Sequence, residues 1–241
     1  MSLKKKSPGR TAALNRRGTK AKRGRPLQSV VGEISTEQRL LDGALTLFAD
    51  KGYTATTTRD IIDAAGVTKP VLYHYCDSKE SLFRRLVGGI YEAGERAWDE
   101  VLATETTAVA RLRGMIRVSF TGCARDPRIP RLMFQTHYGP PIPELHEFME
   151  DHTARRFVQV VQVMNDGLAS GELRGGDAAG LALVFCCLMD QHINILARLS
   201  NAASLLSFER ADALVAMFCD GCGTSRRHNV ALPPLSLSPQ V

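Results

Sequence analysis

Several things are scarce in this 241-residue chain, and each scarcity excludes a class of protein. No run reads as a strand and no segment repeats, so neither a β-rich fold nor a repeat architecture is expected. The six cysteines, two of them adjacent at Cys186-Cys187, lack the spacing of a disulfide framework and fit a reducing cytosol. The longest apolar run, Ala178 to Met189, is too short to span a bilayer, and no apolar stretch follows the basic start as a secretory signal requires. A soluble, cytoplasmic protein without a membrane partner is expected. Acidic residues are missing altogether from residues 1 to 32, which hold ten of the 31 lysines and arginines. The remainder then has 21 basic against 25 acidic residues, so a basic arm precedes a mildly acidic body.

That arm is too charged and too poor in apolar groups to pack, and is expected to be disordered when free. Within it, Arg23-Gly24-Arg25-Pro26 resembles an AT-hook core, in which Arg23 and Arg25 would lie along a narrow, negative minor groove. Apolar residues recur at helical spacing from Leu40 to Phe48, after a cap at Ser35 and Gln38 and before Gly52. A long helix opens at Asp77-Ser78-Lys79-Glu80 and runs to about Ala103, marked by Leu82, Leu86, Ile90, Ala93 and Trp98. Helical segments are expected at about 107 to 124, 127 to 137, 142 to 170, 177 to 200 and 205 to 221, between Pro and Gly breaks. The fold class is therefore all-α. The expected organisation is the arm at 1–32, a short helical domain at 33–82, a longer helical domain at 83–222, and a frayed tail at 223–241.

The segment GYTATTTRDIIDAAGVTKPVLYHYCDSKESL, residues 52–82, carries the most specific signal. Thr57 and Asp60 can form a capping box for a short helix with Ile61, Ala64 and Ala65 on its apolar face, and Gly66 ends it. Thr68 then caps a second helix with Pro70 in its first turn. Leu72 and Tyr75 face inward, leaving Lys69, Val71, Tyr73 and His74 outward, as in a helix-turn-helix that reads the major groove.

Read residue by residue, Gly52-Tyr53, Thr57-Thr58-Arg59-Asp60-Ile61, Ala65-Gly66-Val67-Thr68, Leu72-Tyr73-His74-Tyr75 and Ser78-Lys79-Glu80-Ser81-Leu82 resemble the TetR family of transcriptional regulators over residues 36 to 86. Ile62 in place of a small Ala, Pro70 in place of Gly, and Cys76 depart from the commonest pattern without removing a DNA-contacting type. The resemblance implies that Thr58, Arg59, Tyr73 and Lys79 grip phosphates, while Thr68, Lys69, Pro70 and His74 face the groove. Lys69 can donate to guanine, and the Pro70 ring can touch a thymine methyl.

The C-terminal half offers three weaker constellations. Trp98, Phe120, Phe134, His137, Tyr138, Phe157, Met189 and His192 place aromatic and soft side chains with a few polar groups on its helices. In a ligand-responsive regulator these would line an apolar cavity. The helix from Leu181 is apolar nearly all round, and Phe208, Leu214, Val215 and Phe218 form a broad apolar face on the last helix. The TetR-like arrangement implies that the last two helices pair with their copies in a homodimer. His146, Glu150 and His152 are placed for a metal site but fall short of H-E-x-x-H, and Cys219 with Cys222 lacks further zinc ligands.

The expected function is a homodimeric transcriptional regulator, a repressor released from a pseudo-palindromic operator by a small-molecule effector. No catalysis, cofactor or metal is called for. Two alternatives remain: a non-specific architectural DNA-binding protein led by the basic arm, and a metal-dependent hydrolase using the C-terminal half.

Overall fold

The computed structural model describes residues 35–199 and 201–222, which form one compact unit of helices. The arm with Arg23 and Arg25, the tail from 223, and the Cys222 side chain lie outside the described residues. Among those described there is no β-strand, in keeping with the all-α expectation.

Three short helices come first: α1 Thr36–Lys51, α2 Thr58–Ala65 and α3 Lys69–Tyr75. Ser35 caps α1 by accepting from the Gln38 N–H at 3.0 Å, and Gly52 ends it at φ +80°. The capping box of α2 is complete: Thr57 Oγ1 accepts from the Asp60 N–H at 3.1 Å, and Asp60 accepts from the Thr57 N–H at 2.9 Å. At the turn Gly66 adopts φ +61°, Val67 N–H donates to Ile62 O, and Gly66 N–H donates to Asp63 O. This left-handed cap reverses the chain tightly enough to set α3 across α2.

The 26-residue helix α4 Lys79–Thr104 follows, with Ser78 and Ser81 capping each other reciprocally. Next come α5 Ala108–Arg125, α6 Arg128–Tyr138, a 3-10 turn Pro143–Leu145, α7 His146–Ser170, α8 Ala178–Leu196, α9 Ala202–Leu205 and α10 Phe208–Cys222. The segments read from periodicity match these within a few residues. They differ where Pro143 tightens the start of α7 into a separate turn, and where the chain beyond Leu196 breaks into the short α9.

Two apolar clusters share α4. The first joins Leu40, Phe48, Ile61, Leu72, Phe83 and Tyr91, and continues into Leu132 of α6 and Leu145. At its centre Phe48 and Tyr53 meet Phe83 with ring centroids 5.2 and 5.0 Å away. Each such buried aromatic stabilises the fold by about 1.5–3 kcal/mol. The second cluster runs from Trp98 through α5, α7, α8 and α10. A continuous helix crosses the boundary expected at residue 82; along it the first cluster reaches Tyr91, and through α6 and the 3-10 turn it takes in Leu132 and Leu145. At Gly167 α7 approaches its neighbours so closely that an added Cβ would lie 2.7 Å from Leu173 and 2.9 Å from Ala108.

Candidate nucleic-acid interface and effector region

Leu72 anchors α3 in the first cluster at 1% exposure and turns the rest of this short helix outward. Lys69, Pro70, Tyr73 and His74 are exposed together, with the Lys69 ammonium 5.9 Å from the Tyr73 ring centroid. Thr68 stands at the N-cap of α3, but its side chain makes no capping bond. The expected hydroxyl cap is replaced by an exposed hydroxyl at the end of the helix that would enter the groove. Thr58 is half-buried in the first turn of α2, and Arg59 is almost fully solvated beside Asp63 at 4.0 Å. Six of the eight expected DNA contacts therefore lie exposed at the surface, and Thr58 is half-buried beside them. The carboxyl of Asp60 is held below its usual range by its bonds to the Thr57 backbone and hydroxyl.

Lys79 is placed differently. Its ammonium donates to the carbonyls of Tyr53 at 2.9 Å and Thr56 at 3.0 Å, and lies 4.2 Å from the Tyr53 ring centroid. Two of its three donors thus tie α4 to the loop after α1, whereas the sequence pattern gave it to phosphate. That loop is further closed by the Thr56 hydroxyl, which donates to Gly52 O at 2.8 Å.

The eight residues expected to line one cavity do not converge. Trp98, Phe120 and Met189 are fully packed in the second cluster, and Phe157 packs against it. The Trp98 indole N–H donates to Ser119 Oγ at 3.1 Å, so its one polar group is satisfied internally. His192 is on the outer side of α8, where its Nδ1–H donates to Leu188 O at 2.7 Å. There it borders an open groove of about 470 Å³ lined by Leu183, Val184, Cys187, Leu188 and Gln191. Phe134, His137 and Tyr138 occupy the far end of α6. Helical spacing identifies apolar faces but cannot tell which faces meet, and that is where the expectation failed.

The polar groups that do meet between α4, α6, α7 and α8 came largely from residues with no local signal. Tyr91 shares a 2.7 Å hydrogen bond with His137 Nε2, and its ring stacks on His152 with centroids 4.6 Å apart. Burial raises the Tyr91 hydroxyl to about 12 and pushes His137 below its ordinary value, so both are neutral near pH 7. Arg156 donates to Asp190 at 2.8 Å and lies 4.9 Å from the Trp98 ring. His152 faces Glu95 at 3.7 Å, away from the exposed pair His146 and Glu150. No group of three metal-ligating side chains occurs among the described residues. Burial pushes the thiols of Cys123 and Cys186 to about 12 and about 11, where neither ionises at neutral pH.

Three of the four expected dimer residues are also relocated. Leu214, Val215 and Phe218 are 2%, 0% and 6% exposed within a single chain, and only Phe208, at 56%, faces solvent. Their broad apolar face serves the chain's own core against α5 and α8. The bare apolar surface is instead on α8, where Leu183, Val184 and Ile195 are more than half exposed, with Met217 of α10 nearby in character at 45%. By length and mean hydropathy, 1.5, α8 is also long and apolar enough to cross a membrane, contrary to the expectation from its apolar run alone. Yet Leu181, Ala182, Phe185 and Met189 bury its other side, and Asp190 is paired with Arg156.

A short helix held from behind, a tight left-handed turn and a polar outer face on the following helix define a helix-turn-helix protein. Residues 40–86 match the family model described as bacterial regulatory proteins, tetR family. Over those residues the chain is similar to the TetR family. It is 37% identical over 95 residues to the HTH-type transcriptional repressor KstR2 of Rhodococcus jostii, a match covering 39% of this chain and 47% of that protein. The chain thus spans about half the length of that relative. Its fold is similar to the ketosteroid transcriptional regulator KstR2 of Mycobacterium tuberculosis, with a TM-score of 0.65 at 21% identity over 79% of this chain and 96% of the other. A further similar fold is AibR in complex with isovaleryl coenzyme A and operator DNA, with a TM-score of 0.62 at 20% identity, over 76% and 97%.

Proposed function

We propose that the protein is a homodimeric DNA-binding transcriptional repressor, released from a pseudo-palindromic operator by a small-molecule effector. The observation that carries this reading is the outer face of α3, where Lys69, Tyr73 and His74 stand exposed while Leu72 is buried and Tyr75 packs beside it against the core. Lys69 and Thr68 supply donors for base edges, Pro70 an apolar contact for thymine, and Tyr73, Arg59 and Thr58 donors for phosphates. The third donor of Lys79 adds to the free N–H groups of the first turn of α4. Arg23 and Arg25 would follow the adjacent minor groove.

The partner surface is a second copy seated on α8, through Leu183, Val184, Cys187 and Ile195, because a lone chain leaves these in water. Twofold pairing there would hold two α3 helices at fixed separation, which a repeated half-site requires. Coupling runs through α6, which is fastened to α1 by Arg128 to Asp42 and Thr46, Arg131 to Asp50, and Gln135 to the Ala49 carbonyl. An effector that favours a different placing of α6 weakens DNA binding by the same free energy with which DNA weakens effector binding. Such a regulator works in the cytoplasm and needs no catalytic group or cofactor.

The test is binding to DNA from beside its own gene against random DNA of equal length, at matched salt. A dimer with strong preference for one palindromic segment supports the reading. Equal affinity for all sequences would leave the architectural alternative in its place.

A further inference from the structure

We propose that Arg85 is a positioning residue for DNA reading, and that it fixes the direction in which α3 points from the core. This rests on the DNA-binding reading above and adds a residue that acts without touching DNA. Arg85 stands in the second turn of α4, and its Nη1 donates at 3.1 Å to the carbonyl of Tyr75, the last residue of α3. Its Nη2 pairs with the carboxylate of Glu37 in the first turn of α1. One planar guanidinium therefore joins α1, α3 and α4, using both arms of a rigid fork.

With seven residues, α3 is too short to be stable alone and takes its orientation from what holds it. Leu72 and Cys76 are buried, and Tyr75 packs beside them. Such apolar contacts fix how deeply α3 sits but have no direction, whereas a hydrogen bond weakens steeply as its angle changes. At the opposite end the Thr68 side chain makes no capping bond. Among the described residues, Arg85 is the one side chain from another helix that bonds to the α3 backbone. Its charge also faces the negative end of the α3 dipole.

Stability gives this contact little purpose. The side chains of Arg85 and Glu37 are 47% and 37% exposed, and an exposed pair adds little to a fold. The preceding residue provides a contrast. Arg84 pairs with Glu80 on its own helix, donates to the Glu144 carbonyl ahead of α7, and lies 5.2 Å from the Phe148 ring centroid. None of these partners belongs to α1 or α3. Two adjacent arginines on α4 thus reach in different directions, and only the second holds the reading helix.

Binding of the full chain to the palindromic segment and to random DNA of equal length, at matched salt, tests the assignment. Arg85→Gln should weaken operator binding about tenfold and random DNA by no more than about twofold, with a melting temperature close to the parent's. Arg85→Lys keeps the charge but has no fork to span both acceptors, so its operator affinity should stay at least about fivefold below the parent's. Glu37→Ala separates position from charge, and carries the test alone if Arg85→Gln does not fold. Loss of a carboxylate near the reading helix should tighten binding to any DNA if charge alone matters, whereas loss of the strut should weaken the operator about threefold. Arg84→Gln, the control, should bind both DNAs like the parent. Equal losses on both DNAs for Arg85→Gln, full rescue by lysine, an Arg84→Gln protein that loses operator preference to the same degree, or a Glu37→Ala protein that binds operator at least as tightly as the parent would each overturn the assignment and leave the repressor reading standing. A parent chain with no preference between the two DNAs would overturn that reading, and the assignment with it.

Discussion

Arg128 and Asp42 are 86 residues apart in sequence and 2.8 Å apart in the fold. The same guanidinium reaches Thr46 at 2.7 Å and Asp126 at 2.7 Å, so one side chain joins the start of α6 to the middle of α1. Asp126 also accepts from the Arg128 N–H, which orders the first turn of α6 around the pair. Isolated exposed pairs contribute about 0–1 kcal/mol, and this one matters for what it connects more than for its energy.

Arg128→Ala should therefore reduce stability modestly, by about 1 kcal/mol, while loosening the joint between α1 and α6. Hydrogen exchange in α1 should rise more than in α10. Equal exchange in both helices, relative to the unmodified chain, would show that the joint carries no local order.

Acid should act through the same group. The Arg128 side chain holds the Asp126 carboxyl below its usual value. A depressed folded-state carboxyl contributes stability that is whole above the unfolded value, about 3.9, and is lost as pH falls through the folded value. Urea midpoints measured from pH 6 down to pH 3 should fall less steeply for Asp126→Asn than for the unmodified chain. Parallel curves would count against the pair.

Tyr73 and Lys79 should separate in their effects. Tyr73→Ala removes a surface group and should weaken operator binding with no loss of stability, making the log affinity against log salt slope shallower by about 0.9 if a phosphate contact is lost. Lys79→Ala leaves two carbonyls without their donor and should cost about 1–3 kcal/mol in stability as well. A Lys79→Ala protein that melts like the parent would return that lysine to the role of a free phosphate clamp.

The bare face of α8 and the buried face of α10 should respond in opposite ways to a charge. Leu183→Glu and Ile195→Glu should leave the monomer folded and shift sedimentation from dimer to monomer. Leu214→Glu should unfold the chain, since truncating such a buried leucine already costs about 2–5 kcal/mol. A folded, monomeric Leu214→Glu protein would place the seam back on α10.

Gly66→Ala meets no neighbouring atom within 4 Å, so its cost is the backbone alone. At φ +61° a Cβ costs about 1–2 kcal/mol. Relief of that strain would turn α3, so operator affinity should fall further than stability. A variant with unaltered affinity would show that the angle of α3 does not depend on this turn.

The helix-turn-helix was legible because its determinants are local. A capping box spans three residues, a glycine cap needs one, and Leu72 announces the inner face of α3 by its spacing from Tyr75. Helix positions in the C-terminal half were legible for the same reason, from apolar periodicity and proline breaks. The pairing of faces was not. Leu214 and Phe218 read as an uncovered stripe because nothing in α10 itself reveals that α5 and α8 lie against it. Likewise Tyr91, His137 and His152 stand on three helices, and Arg128 meets Asp42 only after the chain has turned through five. Lys79 occupied a familiar position, yet its nearest acceptors are carbonyls of a loop that local pattern does not locate.

One length in the molecule limits how it can move. The 26 residues of α4 belong to both apolar clusters with no break between them, a rod about 39 Å long. A loop between the clusters would let each swing independently. An unbroken rod instead converts a rotation of about 5° at the end near Trp98 into a displacement of about 3 Å at the end near Lys79, close to a full base-pair rise. Small rearrangements around the distal half are thus magnified geometrically, and α3 can lose its register with DNA while every helix keeps its internal hydrogen bonds.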